Sequence, residues 1–181
     1  MMVKEYSVRK AEPGDLAAVM QVERQSFEAN IVEDEGVFAD RIAYASDCNY
    51  VLVKTDTQSV CGYFTAELWD SEKIGADAFA LGHSVHERHH PAGTALYISS
   101  FALLPEVRGQ SIAESFFAAS IERIAAVFPQ LERIILLVHE DWHKAIRIYE
   151  KQGFIRTQIL ERFAWFGAKQ AFIYEKTMKP S

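Results

Sequence analysis

The stretch 95–138 constrains the fold more than any other part of the chain. Apolar residues alternate from Ala95 and predict a strand over 95–104, which Pro105 stops because proline removes a ladder donor. Ile112, Phe116, Ile121, Ile124 and Phe128 then recur at near-helical spacing, predicting a helix over 111–127 that Pro129 closes. The unbroken apolar run 134–138 follows, the pattern of a strand buried on both faces inside a parallel pair. Strand, helix and parallel strand in succession commit the chain to an α/β arrangement.

The remaining elements fall around this unit. The alternation at 6–10 reads as an opening strand. A helix over 15–25 follows, with Pro13 at its start and Leu16, Val19, Met20 and Glu23 at helical spacing. A polar loop spans 30–36 and a short helix 37–45; strands 50–53 and 60–67 pair around the turn 55–59. Residues 70–93, with His83, His86, His89 and His90, predict a long irregular loop, and such loops inside compact domains tend to be functional. A helix over 144–152 ends at Gly153, and strands 159–166 and 171–178 close the chain around Gly167. The order predicts a single mixed α/β domain (α+β in its flanking hairpins) over 1–181, a mixed central sheet flanked by helices.

Composition narrows the partners. With 49% apolar and 24% charged residues, 181 residues can bury a core that offsets ordering entropy. A net charge of -6 argues against nucleic acid and agrees with a cationic small molecule. No apolar run nears the roughly 20 residues that span a bilayer, and the N-terminus lacks a signal-peptide core, so no membrane contact and a cytoplasmic location are expected. Cys48 and Cys61 suggest neither a metal cluster nor a disulfide framework. Monomer and homodimer are both left open.

The turn before the long helix, Arg108-Gly109-Gln110-Ser111-Ile112-Ala113, has the makings of a phosphate site. Unsatisfied amides and the positive end of the helix dipole meet there. Arg108 adds charge, Gly109 adds backbone freedom, and small side chains at Ser111 and Ala113 allow close approach. Ser111 with Glu114 also spells a capping box, so the same residues could simply start a well-capped helix.

Arg108 to Ala113 resembles the Gln/Arg-x-x-Gly-x-Gly/Ala signature of the GNAT acetyltransferase superfamily. Ala145-Ile146-Arg147-Ile148-Tyr149-Glu150-Lys151-Gln152-Gly153-Phe154 resembles that superfamily's Ala-x-x-x-Tyr-x-x-x-Gly-Phe helix. Upstream, Leu68-Trp69-Asp70 and Pro91-Ala92-Gly93 resemble stretches of the arylalkylamine (serotonin) N-acetyltransferases. The resemblance implies an acyl-CoA N-acyltransferase fold that moves an acetyl group from acetyl-CoA, its co-substrate, to a small primary amine such as an arylalkylamine or polyamine, without a metal. It implies that Arg108, Gly109, Gln110, Ser111, Ile112, Ala113 and Glu114 hold the pyrophosphate, and that Phe101, Ala102 and Leu103 line the pantetheine arm. Two departures stand out. Ser111 replaces the central glycine, a cost of about 1–2 kcal/mol if that site needs a positive φ. Trp142 replaces an asparagine common on the cofactor side.

The resemblance implies that Tyr149 touches the sulfur and protonates the leaving thiolate; on spacing alone it reads as a core tyrosine. Where the arylalkylamine enzymes carry histidines on the core strand, this chain has Tyr97 and Ser99, which can hold a water chain or be ordinary strand residues. Glu33, Asp34 and Glu35 either attract a cationic amine or form a solvated run. The four histidines of 83–90 read as a lid more readily than as a zinc site. Alternatives to the small-amine enzyme are a protein N-terminal or lysine acetyltransferase and a silent acyl-CoA-binding module. A closed pocket would favour the small amine and an open groove a peptide.

Overall fold

The computed structural model describes residues 4–109 and 111–179. Along them run β1 (Tyr6–Lys10), α1 (Leu16–Ser26), α2 (Glu35–Tyr44), β2 (Asn49–Lys54), β3 (Val60–Trp69), α3 (Val85–Arg88), β4 (Ala95–Leu103), α4 (Ile112–Val127), β5 (Arg133–His139), α5 (His143–Lys151), β6 (Ile155–Leu160) and β7 (Ala171–Thr177). The strands form one mixed sheet in the order β1-β2-β3-β4-β5-β7-β6, antiparallel except where β4 meets β5. That exception is the strand–helix–strand unit expected at 95–138, with α4 as its crossover.

Strand periodicity sorts the core onto the two faces. Tyr50, Leu52, Phe64, Ala66 and Leu68 pack with α4, while Val51, Val53 and Tyr63 pack with α1 and α2. On α4 the buried positions Ile112, Phe116, Phe117, Ser120, Ile121 and Ile124 form one helical stripe. Phe117 is the hub, with ring centroids 5.3–5.9 Å from Phe64, Phe101, Tyr149 and Phe154. Truncating such a ring typically costs about 3–5 kcal/mol.

Two irregularities of β4 position the site. Its pairing with β5 covers only Ala95 to Ile98, opposite Arg133 to Leu136; beyond that point β4 follows β3 and β5 follows β7, so the sheet opens into a wedge. The register against β3 also slips, Ser100 facing Thr65 and Ile98 facing Ala66, which leaves Ser99 as the extra residue of a β-bulge. Before the bulge Leu96 and Ile98 face α4; after it Leu103 does, with Phe101 packed against the same cluster. The parity switch is what turns Tyr97, Ser99 and Ser100 toward one space.

Two expectations are corrected. The strand placed over 159–166 runs over Ile155–Leu160, directly after the Gly153 stop (φ 88°). Residues Ala164–Phe166 form a tight helical turn, because Phe163 and Phe166 are buried and the Phe163 amide bonds the Lys169 carbonyl. The segment 70–93 is less irregular than expected, with short turns at Ser71–Lys73 and Ala76–Phe79 and the single turn α3.

Candidate active site

The wedge between β4 and β5 opens on a narrow cavity of about 40 Å³. Glu23 and Phe27 wall it from α1 and its end, Ile31 and Glu33 from the following loop, and Leu81 from the segment before α3. Tyr97, Ser99 and Ser100 of β4, Leu137 of β5, Trp142 and Phe166 complete it. Tyr97 and Ser99, expected on the core strand, are thus brought together, and the bulge adds Ser100. Ser99 Oγ donates to the Thr65 carbonyl at 3.1 Å and lies 2.9 Å from Thr65 Oγ1. Burial raises the Tyr97 hydroxyl well above its usual range, so it stays protonated.

The group that sequence reasoning missed as a functional candidate is Glu23. It is 1% exposed, on a stripe shared with Val19, Met20 and Val22. Its carboxylate accepts from the Glu33 amide at 3.1 Å and from the Tyr63 hydroxyl, which also lies 2.8 Å from Ser100 Oγ. Burial pushes the Glu23 carboxyl up to about 7, against the lowering effect of those two hydrogen bonds. A carboxylate that titrates near neutral pH and faces a cavity is suited to take a proton. The one signal in the sequence was a glutamate sharing the spacing of Leu16, Val19 and Met20.

Glu33 plays a different part from either expected for it. It is buried, and Arg41 clamps both of its oxygens at 3.0 and 2.8 Å. Burial alone would raise Glu33; the Arg41 guanidinium outweighs it and holds the carboxyl below its ordinary value. Glu33 also accepts the Gly82 amide at 2.7 Å, fixing the segment that carries Leu81. Asp34 and Glu35 are exposed at the start of α2.

The histidines hold this wall. His83 Nε2 meets Glu67 while its Nδ1 lies 2.9 Å from the Ala80 carbonyl, and His89 Nδ1 accepts the Leu68 amide at 3.0 Å. His86 packs on Tyr44, with ring centroids 3.7 Å apart. Among the described residues no three His, Cys, Asp or Glu side chains converge as metal ligands. The far wall is aromatic: Trp142 packs between Phe27 at 5.2 Å and Phe166 at 5.4 Å, with His139 stacked on it at 5.5 Å. Trp142 therefore faces the cavity from the position where the resemblance led one to expect a cofactor-side amide.

The acetyltransferase (GNAT) family model matches residues 16–154, more than three quarters of the chain. The chain belongs to the GNAT acetyltransferase family. Solved structures agree on the fold. The loading GNATL domain of CurA from Lyngbya majuscula superposes with a TM-score of 0.79 at 13% identity, over 95% of this chain and 97% of that one. NAA60 of Arabidopsis thaliana, in complex with a bisubstrate analogue, gives 0.75 at 18% identity over 97% and 99%. The ribosomal-protein-S18-alanine N-acetyltransferase of Escherichia coli gives 0.70 at 14% over 97% and 96%. No curated protein matches the chain by sequence.

In this GNAT protein the loop after β4 is built differently from the expected cap. Ser111 stands at φ 59° and ψ 2°, the left-handed conformation, and its side chain makes no capping bond. The expected capping box is therefore absent, because a left-handed residue does not aim its hydroxyl at the amides of the next turn. Glu114 instead takes Lys151 at 2.8 Å, tying α4 to α5. Gly109 is also left-handed, at φ 90°. Gln110 lies outside the described residues. Arg108 is exposed, its Nε donating to the Leu103 carbonyl at 2.9 Å and Nη2 to Ser26 Oγ at 3.0 Å. The anion-binding capacity here rests on the first-turn amides of Ile112, Ala113 and Glu114, which have no partner within the helix.

Phe101, Ala102 and Leu103 lie on the part of β4 that has left β5. Tyr149 is packed by Phe117 and Phe154. Burial raises its hydroxyl above the ordinary range.

Proposed function

We propose that this GNAT protein transfers the acetyl group of acetyl-CoA to a small primary amine, of the size of an arylalkylamine or a short polyamine. The observation that carries the reading is Glu23: a carboxylate poised near pH 7 on the wall of a small cavity at the mouth of the β4–β5 wedge. The amine arrives protonated, gives its proton to Glu23 and attacks the thioester carbonyl. A main-chain N–H of β4 near Leu103, released from β5 by the splay, donates to the carbonyl oxygen as it gains charge; such donors are worth about 2.7–4 kcal/mol. The C–S bond breaks, the thiolate takes a proton from Tyr149, which burial keeps protonated, and the proton the nitrogen sheds on becoming an amide returns to the tyrosinate. The backbone of Phe101, Ala102 and Leu103 lines the pantetheine arm, and the loop from Arg108 to Glu114 holds the pyrophosphate. Tyr97 and Ser99 bind the water or the amine that communicates with Glu23.

A small acceptor is favoured over a peptide because the cavity is covered. Asn30 Nδ2 reaches across to the Trp165 carbonyl at 3.3 Å, joining the loop after α1 to the β6–β7 turn. Leu81 and Phe166 close the sides. The test is thiol release from acetyl-CoA against a panel of primary amines and short peptides. Turnover with amines and none with peptides is expected; turnover confined to peptides would overturn the small-amine reading.

A further inference from the structure

We infer that, of the two amine classes proposed above, the acceptor pocket accepts those bearing one positive charge and rejects diamines and polyamines of the same length. The inference rests on the acetyl-transfer reading above and follows from counting charges around the cavity. Two carboxylates line it, Glu23 and Glu33, and no lysine or arginine does among the described residues. Glu33 is spent: both oxygens are held by Arg41 and one also takes the Gly82 amide. Behind the wall, Glu67 meets His83 through Oε1 and leaves Oε2 without a partner, but it does not line the cavity. Glu23 has only neutral donors, the Tyr63 hydroxyl and the Glu33 amide, so of the two lining carboxylates it alone has charge left for an ammonium.

A second ammonium deeper in the pocket would meet the rings of Phe27, Trp142 and Phe166 and the hydroxyls of Ser99 and Ser100, already engaged with Thr65 and Tyr63. Attraction to aromatic faces is smaller than the hydration an unpaired buried cation loses. A substrate carboxylate fares no better, since Arg41 lies behind Glu33, 1% exposed and already paired. The class that fits is a monoamine with an apolar body, which the aromatic wall covers.

The experiment compares n-pentylamine with 1,4-diaminobutane, equal in heavy atoms and differing by one charge. Thiol release from acetyl-CoA gives kcat/KM for each, and calorimetry gives binding of each to the free protein. At least a tenfold preference for pentylamine in both measurements is expected. Parity or a preference for the diamine overturns the inference. A tenfold binding preference without thiol release from either supports the charge count and sinks the transfer reading; binding of neither sinks both. Leu81→Glu, which adds a carboxylate to the wall, should raise diamine binding at least tenfold, and an unchanged ratio would show that charge counting is not its origin.

Discussion

Glu23 occupies a helical position whose neighbours Val19, Met20 and Val22 are apolar and buried, and its environment opposes its charge. Because its folded value of about 7 lies above the ordinary 4.5, the folded protein keeps a proton that the unfolded chain releases between those values. Stability therefore falls as pH rises from about 4.5 to 7, by about 3 kcal/mol in all. Glu23→Gln removes this penalty and the base together. It should raise the melting temperature at pH 8 while lowering turnover by about 10²–10⁴-fold. In the parent protein kcat/KM should climb with pH through about 7; a flat profile would dismiss Glu23 as the base. Tyr149→Phe keeps the ring among Phe117 and Phe154 and deletes only the hydroxyl, so turnover should drop more than tenfold with the urea midpoint nearly unmoved. Residue identity was fully legible in the sequence, but Glu23's role was not. A carboxylate in an apolar stripe acquires its pKa from what is packed over it, here Tyr63, 40 residues on, and the Glu33 loop, 10 residues on.

At the scale of elements, the motif strand, turn and helix was readable because periodicity and proline mark it locally. The conformation inside the turn was not. Ser111 adopts the left-handed φ that its usual glycine supplies freely, and it gains no capping bond in return. Ser111→Gly should therefore raise stability by about 1 kcal/mol in denaturant titration and tighten acetyl-CoA binding. A loss of stability would mean that the loop draws support from the serine side chain. The bulge at Ser99 was likewise invisible, since counting along β4 assumes an unbroken period of two. That assumption put Tyr97 and Ser99 on one face, where they line the cavity, but omitted Ser100, the residue that joins β4 to the Tyr63–Glu23 pair. The last hairpin shows the same limit: Phe163 and Phe166 look like strand residues by composition, yet they anchor a turn.

Across the whole molecule, the pocket exists because distant segments converge on the wedge, and the Arg41–Glu33 pair is the joint between them. Arg41 comes from α2, Glu33 from the loop after α1, and Gly82 from the segment before α3. Arg41→Leu would leave Glu33 buried without its partner, a loss of about 3–5 kcal/mol. Arg41→Leu combined with Glu33→Leu should recover much of that loss in thermal unfolding, because no lone charge remains. Acceptor KM should rise in both variants, since Leu81 and Ile31 lose their common anchor; an unaltered KM would separate the pair from the pocket.

By itself the sequence determined the mixed α/β class, the parallel crossover, the family and the position of the turn that opens α4. Each of these follows from short-range patterns: apolar period, proline and glycine punctuation, and two motifs on neighbouring elements. Only the tertiary structure decided that Glu23 faces the cavity, that Glu33 is paired with Arg41, and that Trp142 belongs to the cavity wall. Those facts depend on desolvation and on charges that meet across the fold. Burial and pairing are properties of neighbours in space, which residue spacing along a chain does not encode.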